Sequence, residues 1–277
     1  MSITGIDLST GADALGVLTF RGPDAARFLQ GQLSAEVEKL GDGSSSLAGL
    51  HNPQGRVIAL LALGRTSPEE VRAILPRELI EPVAMRLRKY VLRAKVSIEQ
   101  DSSHRVIGTN AATATQPTIV WGDRRLVVME MSADIDGAIT REQWERLDVE
   151  AGIPQIYAAT SESFVAQMLN LDLLGAIAFD KGCYTGQEVI ARAHYRGRVK
   201  RRLQRWFHSG HGLVPGAAAR SADGRHLSVV RVAPGAAGGQ EILAVGPFVN
   251  ETAALADVEP GNAPVVEPRP LPYALPE

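Results

Sequence analysis

Asp180-Lys181-Gly182-Cys183-Tyr184-Thr185-Gly186-Gln187-Glu188 runs without a break into Val189-Ile190-Ala191-Arg192-Ala193-His194-Tyr195-Arg196-Gly197-Arg198. Thr185 followed three residues later by Glu188 has capping-box spacing, in which a hydroxyl and a carboxylate each satisfy a free backbone N–H at a helix start. The spacing predicts a helix from Thr185, with Val189, Ile190 and Ala193 as its apolar stripe and Gly197 as its left-handed stop. Cys183, the only cysteine of the chain, then stands just outside a helix N-terminus, two residues from Lys181. A helix start and a neighbouring ammonium both favour thiolate, so Cys183 reads as a reactive thiol. The plainer reading, a small buried residue, stays open on local physics.

Beyond this stretch the charge is uneven. From Val189 to Ala222 there is no acid, while Arg192, Arg196, Arg198, Lys200, Arg201, Arg202, Arg205 and Arg220 are cationic. This is either a solvated helix end and edge strand or an anion-binding strip beside Cys183. His194 is placed to be a base for the thiol or to face solvent on the helix's last turn. The whole chain, 277 residues with a formal net charge of −2, lacks the basic excess of a dedicated nucleic-acid binder. One cysteine can neither pair within the chain nor supply the ligand set of a cluster or structural zinc. No resident metal is therefore expected, and any cluster contact would be shared with a partner. With no signal-peptide pattern and no long apolar run, a cytoplasmic location and no membrane contact are expected.

Upstream, Gly16 to Phe20 reads as a strand, and Gly22-Pro23-Asp24 opens a helix burying Phe28, Leu29 and Leu33. Leu47 to Leu50, Asn52-Pro53-Gln54-Gly55 and Val57 to Leu63 form a hairpin whose return strand is apolar throughout, as in a strand buried on both faces. Val71 to Leu75 and Lys95 to Glu99 read as strands on either side of a helix from Pro76 to Tyr90 interrupted at Pro82. Thr109 to Gln116 reads as a loop, followed by strands near Thr118 to Trp121 and Leu126 to Met131 and a helix from Arg141 to Glu150 ended by Gly152. Thr160-Ser161-Glu162 is expected to cap a helix bearing Phe164, Val165, Met168 and Leu169. After Gly197, short strands at Val199 to His208, Leu227 to Ala233 and Glu241 to Val249 alternate with turns, the texture of a small antiparallel barrel. The fold class is thus α+β, with residues 1–199 as one domain, divisible into two lobes, and 200–277 as the barrel.

Lys181-Gly182-Cys183-Tyr184-Thr185-Gly186-Gln187-Glu188 resembles the signature of the YgfZ family, folate-binding proteins of iron–sulfur cluster maintenance related to the aminomethyltransferase of glycine cleavage. The resemblance extends through Gly22-Pro23-Asp24-Ala25, Phe28-Leu29-Gln30-Gly31-Gln32-Leu33, Asn52-Pro53-Gln54-Gly55-Arg56-Val57, Lys89-Tyr90-Val91-Leu92-Arg93, Gly152-Ile153-Pro154, Asn170-Leu171-Asp172 and Leu271-Pro272-Tyr273. It implies an aminomethyltransferase-like folate-binding fold closed by the barrel, tetrahydrofolate or a derivative as ligand, and iron–sulfur client or assembly proteins as partners. The implied function is support of cluster assembly or repair and, through cluster enzymes, of tRNA thio-modification. Cys183 is the functional thiol on this reading, with Lys181 and the motif residues Gly182, Tyr184, Thr185, Gly186, Gln187 and Glu188 around it. Asn52, Arg56, Gln167, Asn170, Arg192 and Arg196 are candidates for lining the folate site.

Three departures qualify the resemblance. The aminomethyltransferases carry an acidic pair on the strand after the hairpin turn, whereas here Ile58-Ala59-Leu60-Leu61 offers no titratable group. A classical aminomethyltransferase is therefore not expected; one-carbon transfer and a folate-free redox or structural role are the alternative readings. Ala166 replaces a usual proline. Asp148, in Leu147-Asp148-Val149, stands where the family more typically has arginine, which reverses a charge near the expected cavity.

Overall fold

The apolar run after Gly55 builds the centre of the molecule. In the computed structural model, which describes residues 2–110, 118–137, 139–197, 199–247 and 263–276, strand β4 (Val57–Ser67) is buried without interruption from Val57 to Gly64. It lies between β3 (Ser45–His51) and β5 (Glu70–Pro76), and β5 pairs in turn with β2 (Leu15–Arg21), which pairs with β6 (Ser97–Asp101). All four pairings are antiparallel, so the expected hairpin is one edge of a five-stranded sheet. Helices α1 (Ala25–Gln30) and α2 (Arg77–Arg88) bury Phe28, Leu29, Leu79, Ile80, Val83 and Leu87 in the main core with this sheet. Leu33 is buried too, but beyond the helix, in a bridge to Leu50.

Pro82 does not interrupt α2. It sits mid-helix on the exposed side, where one missing N–H is outweighed by the buried stripe on the opposite face. A second five-stranded sheet, in the order β10 (Asp134–Gly137), β1 (Ser2–Asp7), β7 (His104–Thr109), β9 (Arg124–Glu130), β8 (Thr118–Trp121), packs on the first through Val17, Ala62, Ile74, Val106, Trp121 and Trp144. Thr109 ends β7; residues 111–116 of the expected loop lie outside the described residues. Trp144 comes from α3 (Arg141–Glu150), whose Thr140 and Gln143 form a capping box and whose end is marked by Gly152 at φ +66°.

Between α3 and the cysteine motif the expected helix is replaced by two 3-10 turns, Ala158–Thr160 and Ala166–Leu169. The backbone here bonds to β4 instead of to itself: Val57 N donates to Phe164 O at 2.8 Å, and Glu162 N to Val57 O at 2.8 Å. Helix α4 (Gln187–Tyr195) follows, and then β11 (Arg201–His208), β12 (Ala218–Ser221), β13 (His226–Pro234), β14 (Gln240–Pro247) and β15 (Val265–Arg269) close into a barrel. Its β12–β15 pair is parallel, so the barrel is not wholly antiparallel as expected. The end of the expected Glu241 to Val249 strand lies outside the described residues. Leu203, Val230, Leu243 and Val245 of the barrel belong to the main core, which ties the barrel to the β4 sheet.

Candidate functional site

The hairpin Asn52–Arg56 is the platform on which the cysteine motif sits. Asn52 organises the turn: its Oδ1 accepts from Gln54 N and Arg56 N, both at 3.0 Å, and its carbonyl accepts from Gly55 N at 2.9 Å. Its amide donates to Glu162 Oε2 at 2.5 Å, so this side chain is engaged within the protein. Gly186 packs on that turn so closely that a Cβ would lie 2.5 Å from Asn52 O and 3.0 Å from Gly55 Cα. With φ at +82° it also holds a backbone conformation that favours glycine.

Gly186 is the residue from which α4 starts. The predicted Thr185–Glu188 box does not form, because the chain enters the helix through a left-handed glycine pressed on the hairpin. Gln187 provides the reach-back contact, its Oε1 accepting from Tyr184 N at 3.3 Å. Glu188 is exposed and Thr185 half-buried. At the other end the helix closes at Arg196 with φ −134°, and Gly197 takes no left-handed turn. Cys183 and Gly182 are exposed, and Cys183 is a free thiol, so it is not a core residue.

Lys181 points away from solvent. Its ammonium donates to the carbonyls of Gln30 and Leu33 at 2.7 Å and of Ala35 at 2.6 Å, and lies 5.1 Å from the Tyr184 ring centroid. Burial lowers its pKa to about 8, against the opposing pull of Glu36 and Glu38. Tyr184 is buried as well, and its phenol is pushed up to about 12 by that burial. Behind Tyr184, with ring centroids 6.2 Å apart, lies His51, which the sequence reading did not single out. It is fully buried with no hydrogen bond to either ring nitrogen, and burial lowers its pKa to about 3, the Gly49 backbone opposing only in part.

Gln167 and Asn170 are buried cross-links. Gln167 Nε2 donates to Ile190 O at 2.7 Å, holding α4, and Asn170 Nδ2 donates to Leu203 O at 3.0 Å, holding the barrel. Their side-chain oxygens are buried without partners. Arg192, Arg196 and Tyr195 share one exposed side of α4 and line, with Glu188 and Ala191, an open concavity of about 630 Å³. His194 stacks on Phe179, ring centroids 3.8 Å apart, and Tyr195 meets it edge-on at 4.7 Å.

The cationic strip divides by strand alternation. Arg202 turns inward to a bidentate pair with Asp172 at 2.7 and 2.9 Å, Arg205 pairs with Glu241 at 3.1 Å, and Arg198 lies outside the described residues. Arg201 turns the other way. With Arg56 it lines a cavity of about 330 Å³ at the junction of hairpin, 3-10 segment and barrel, beside Thr160, Ser163, Ser228, Met168 and Val245. Arg201 Nε is buried without a partner, while Arg56 donates to Ser163 O at 2.7 Å. Arg201 was visible in the sequence only as one cation of a run; the alternation of β11 is what separates it from Arg202.

Asp148 is buried by a deliberate-looking set of cations. Arg124 reaches its Oδ1 at 2.5 Å, Trp121 Nε1 donates to the same oxygen at 2.8 Å, and Arg231 pairs with Oδ2. Arg231 arrives from β13, whose pairing with β14 shifts register between Val229 and Arg231. That bulge re-aims the arginine from the barrel towards α3. The carboxylate at position 148 is thus matched by two arginines. The absent acidic pair is equally concrete: Ile58, Ala59, Leu60 and Leu61 are buried in the main core.

Two five-stranded sheets and a five-stranded barrel form an aminomethyltransferase-like fold. The aminomethyltransferase T of glycine cleavage from Bartonella henselae superposes with a TM-score of 0.68 over 89% of this chain and 78% of its own, at 12% identity. The chain belongs to the family of the tRNA-modifying protein YgfZ, being 32% identical to the Shigella sonnei member over 235 residues, 72% of this chain and 70% of that one. It is also 30% identical to the Photorhabdus laumondii member, over 73% of this chain and 71% of that one. No family model matches. No helix among the described residues is long and apolar enough to cross a membrane, and no group of three or more metal-ligating side chains occurs among them.

Proposed function

We propose that the chain binds tetrahydrofolate or a derivative and acts as an accessory protein in iron–sulfur cluster assembly or repair, with Cys183 as its working thiol. The observation that carries the folate part is the junction cavity. Its volume of about 330 Å³ falls at the lower end of ordinary ligand pockets, and its lining combines what a folate needs. Phe164, Val165, Met168 and Val245 offer apolar walls for flat rings, Ser163 and Ser228 offer hydroxyls for a pteridine edge, and Arg56 and Arg201 offer guanidinium groups for the glutamate carboxylates, while the Thr160 hydroxyl is engaged with the Tyr157 backbone. The unpartnered Arg201 Nε is a donor in want of an acceptor. Bound reduced folate supplies an electron-rich pterin whose nitrogens can carry a one-carbon unit.

The chain's own residues do the rest. The hairpin carries Arg56 into the cavity, and the same hairpin, through Gly186, fixes the approach of the segment bearing the exposed Cys183. An exposed thiol is available to a protein partner in a way a buried one is not. The name of the relatives supports a link to tRNA modification. With a net charge of −2 that link is best carried by cluster-dependent modifying enzymes as partners, and stable direct binding of nucleic acid is not expected. Folate transfer chemistry of the aminomethyl type is disfavoured by the aliphatic β4. A cytoplasmic setting belongs to the same proposal, because a working thiol has to stay reduced.

Calorimetric titration with tetrahydrofolate tests the reading. Binding is expected, tighter for longer polyglutamate tails at low salt because Arg192 and Arg196 on α4 stand exposed for additional carboxylates. Arg201→Ala should weaken binding about tenfold or more, the loss of a charge-assisted contact. Absence of binding by the wild-type chain would leave only a folate-free role.

A further inference from the structure

Of the non-glycine residues described, only Glu162 and Asn170 hold a left-handed backbone, at φ +59° and +58°. Asparagine adopts that region readily, and Asn170 closes a 3-10 turn in it. Glutamate does not, so Glu162 is kept there by its surroundings. Three of its groups are clasped by the hairpin and the start of β4. Its N–H donates to Val57 O at 2.8 Å, its carbonyl accepts from Arg56 Nη1 at 3.4 Å, and its Oε2 accepts from the Asn52 amide at 2.5 Å. The two serines beside it extend the clasp: Ser161 Oγ donates to Ile58 O at 2.8 Å, and Ser163 O accepts from Arg56 Nη1 at 2.7 Å. The Glu162 side chain is itself exposed, so burial of its own surface does not repay the strained backbone. Nor does Arg86, which approaches Oε1 only to 3.8 Å in a partly exposed contact.

The consequence falls on Arg56. With Asn52 Nδ2 committed to the Glu162 carboxylate, Oδ1 is left facing the turn, where it accepts from Gln54 N and Arg56 N. Without that acceptor the amide is free to rotate, and the turn loses its organiser. The left-handed residue also brings two successive carbonyls, its own and that of Ser163, to the same Arg56 nitrogen. One corner of the guanidinium is thereby anchored, while its Nε and Nη2 form no hydrogen bond among the described residues. Arg56 and Ser163 both line the junction cavity. We propose that Glu162 is a positioning residue of the folate site, its carboxylate and left-handed backbone together holding Arg56 so that the free nitrogens are available to a glutamate carboxylate of the ligand. The inference rests on the folate reading and adds to it a residue outside the cavity lining.

The test is calorimetric titration of tetrahydrofolate into the full chain and three single variants, each also melted. Physiological ionic strength screens the exposed carboxylate's own repulsion of an anionic ligand. Glu162→Ala removes the acceptor and should weaken binding about tenfold, whereas Glu162→Gln keeps an acceptor oxygen and should stay within about threefold of the wild type. Glu162→Gly also removes the carboxylate but suits φ +59°, so it should melt at or above the alanine variant and yet bind no better than it. A role in stability alone would instead make affinity follow the melting temperature across the set. In an Arg56→Ala background the loss from Glu162→Ala should largely disappear, because the two residues act through one contact. Wild-type binding with undiminished affinity in Glu162→Ala overturns the inference and leaves the folate reading standing. Full additivity with Arg56→Ala, or recovery of binding in Glu162→Gly, does the same. Absence of binding by the wild type overturns both.

Discussion

Lys181 is a motif residue that holds structure. Three carbonyls from the end of α1 and the segment after it converge on its ammonium, and any replacement without three N–H donors leaves buried acceptors unsatisfied. Lys181→Met should destabilise the protein by about 3 kcal/mol in urea unfolding, since it removes a charge-assisted set of contacts. The ammonium also limits what sequence proximity could suggest, because it is engaged with α1 and not free to turn to Cys183. Cys183→Ser should keep fold and folate affinity but fail to complement a cluster-maintenance defect, because serine keeps the size and loses the soft, easily ionised sulfur. Full complementation would make the thiol dispensable. His51 gives a pH signature of its own. The folded state holds it neutral down to about pH 3, whereas an unfolded chain takes up the proton below about 6.5, so more protons bind to the unfolded state in that window. Stability should therefore fall as the pH drops from about 6.5 towards 3, and His51→Leu should remove that part of the slope, measured by urea midpoints across the range.

At the scale of elements, the junction between motif and hairpin rests on the absence of one carbon. Gly186→Ala places a methyl 2.5 Å from Asn52 O and forces a side chain onto φ +82°, so it should cost about 2–3 kcal/mol and weaken folate binding by displacing the hairpin that carries Arg56. A wild-type melting temperature and folate affinity in that variant would disprove the hairpin's role as platform. Local pattern was enough for the hairpin, for β4 buried on both faces and for α3, whose ends carry their own cap and stop residues. It was not enough where tertiary contacts compete with local ones. The Thr160–Glu162 stretch looks like a helix start, but its backbone bonds to β4; Thr185 looks like a cap, but the chain turns one residue later at Gly186. β1, β7, β10, β12 and β15 carry short or mixed patterns whose faces are defined only by the strands beside them. Arg201 and Arg202 differ in role solely through the pleat of β11, and His51 is buried behind Tyr184, a residue more than a hundred positions away that no local signal announces.

At the scale of the molecule, the second sheet, α3 and the barrel meet at one buried carboxylate. Asp148 on α3 receives Arg124 from β9 of one sheet and Arg231 from the bulge of β13 in the barrel, with side chains of all three nearly removed from solvent. Desolvating three charges is costly, and their mutual attraction repays that cost only while the set is complete. Asp148→Asn leaves two buried guanidinium groups around a neutral amide, and should destabilise by about 3–5 kcal/mol. Asp148→Arg should be worse, since it sets three cations against one another. The cost belongs to broken pairing and not to lost polarity, which makes a further outcome testable. A triple variant with Asp148→Leu, Arg124→Met and Arg231→Met should recover most of the stability lost in Asp148→Asn, because apolar groups of similar volume avoid the desolvation that the charges must offset. Urea unfolding of the single and triple variants decides the matter. A loss below about 1 kcal/mol for Asp148→Asn would mean that the barrel is held to α3 by its apolar contacts alone, and the pairing of Asp148 with two arginines would then have no energetic content.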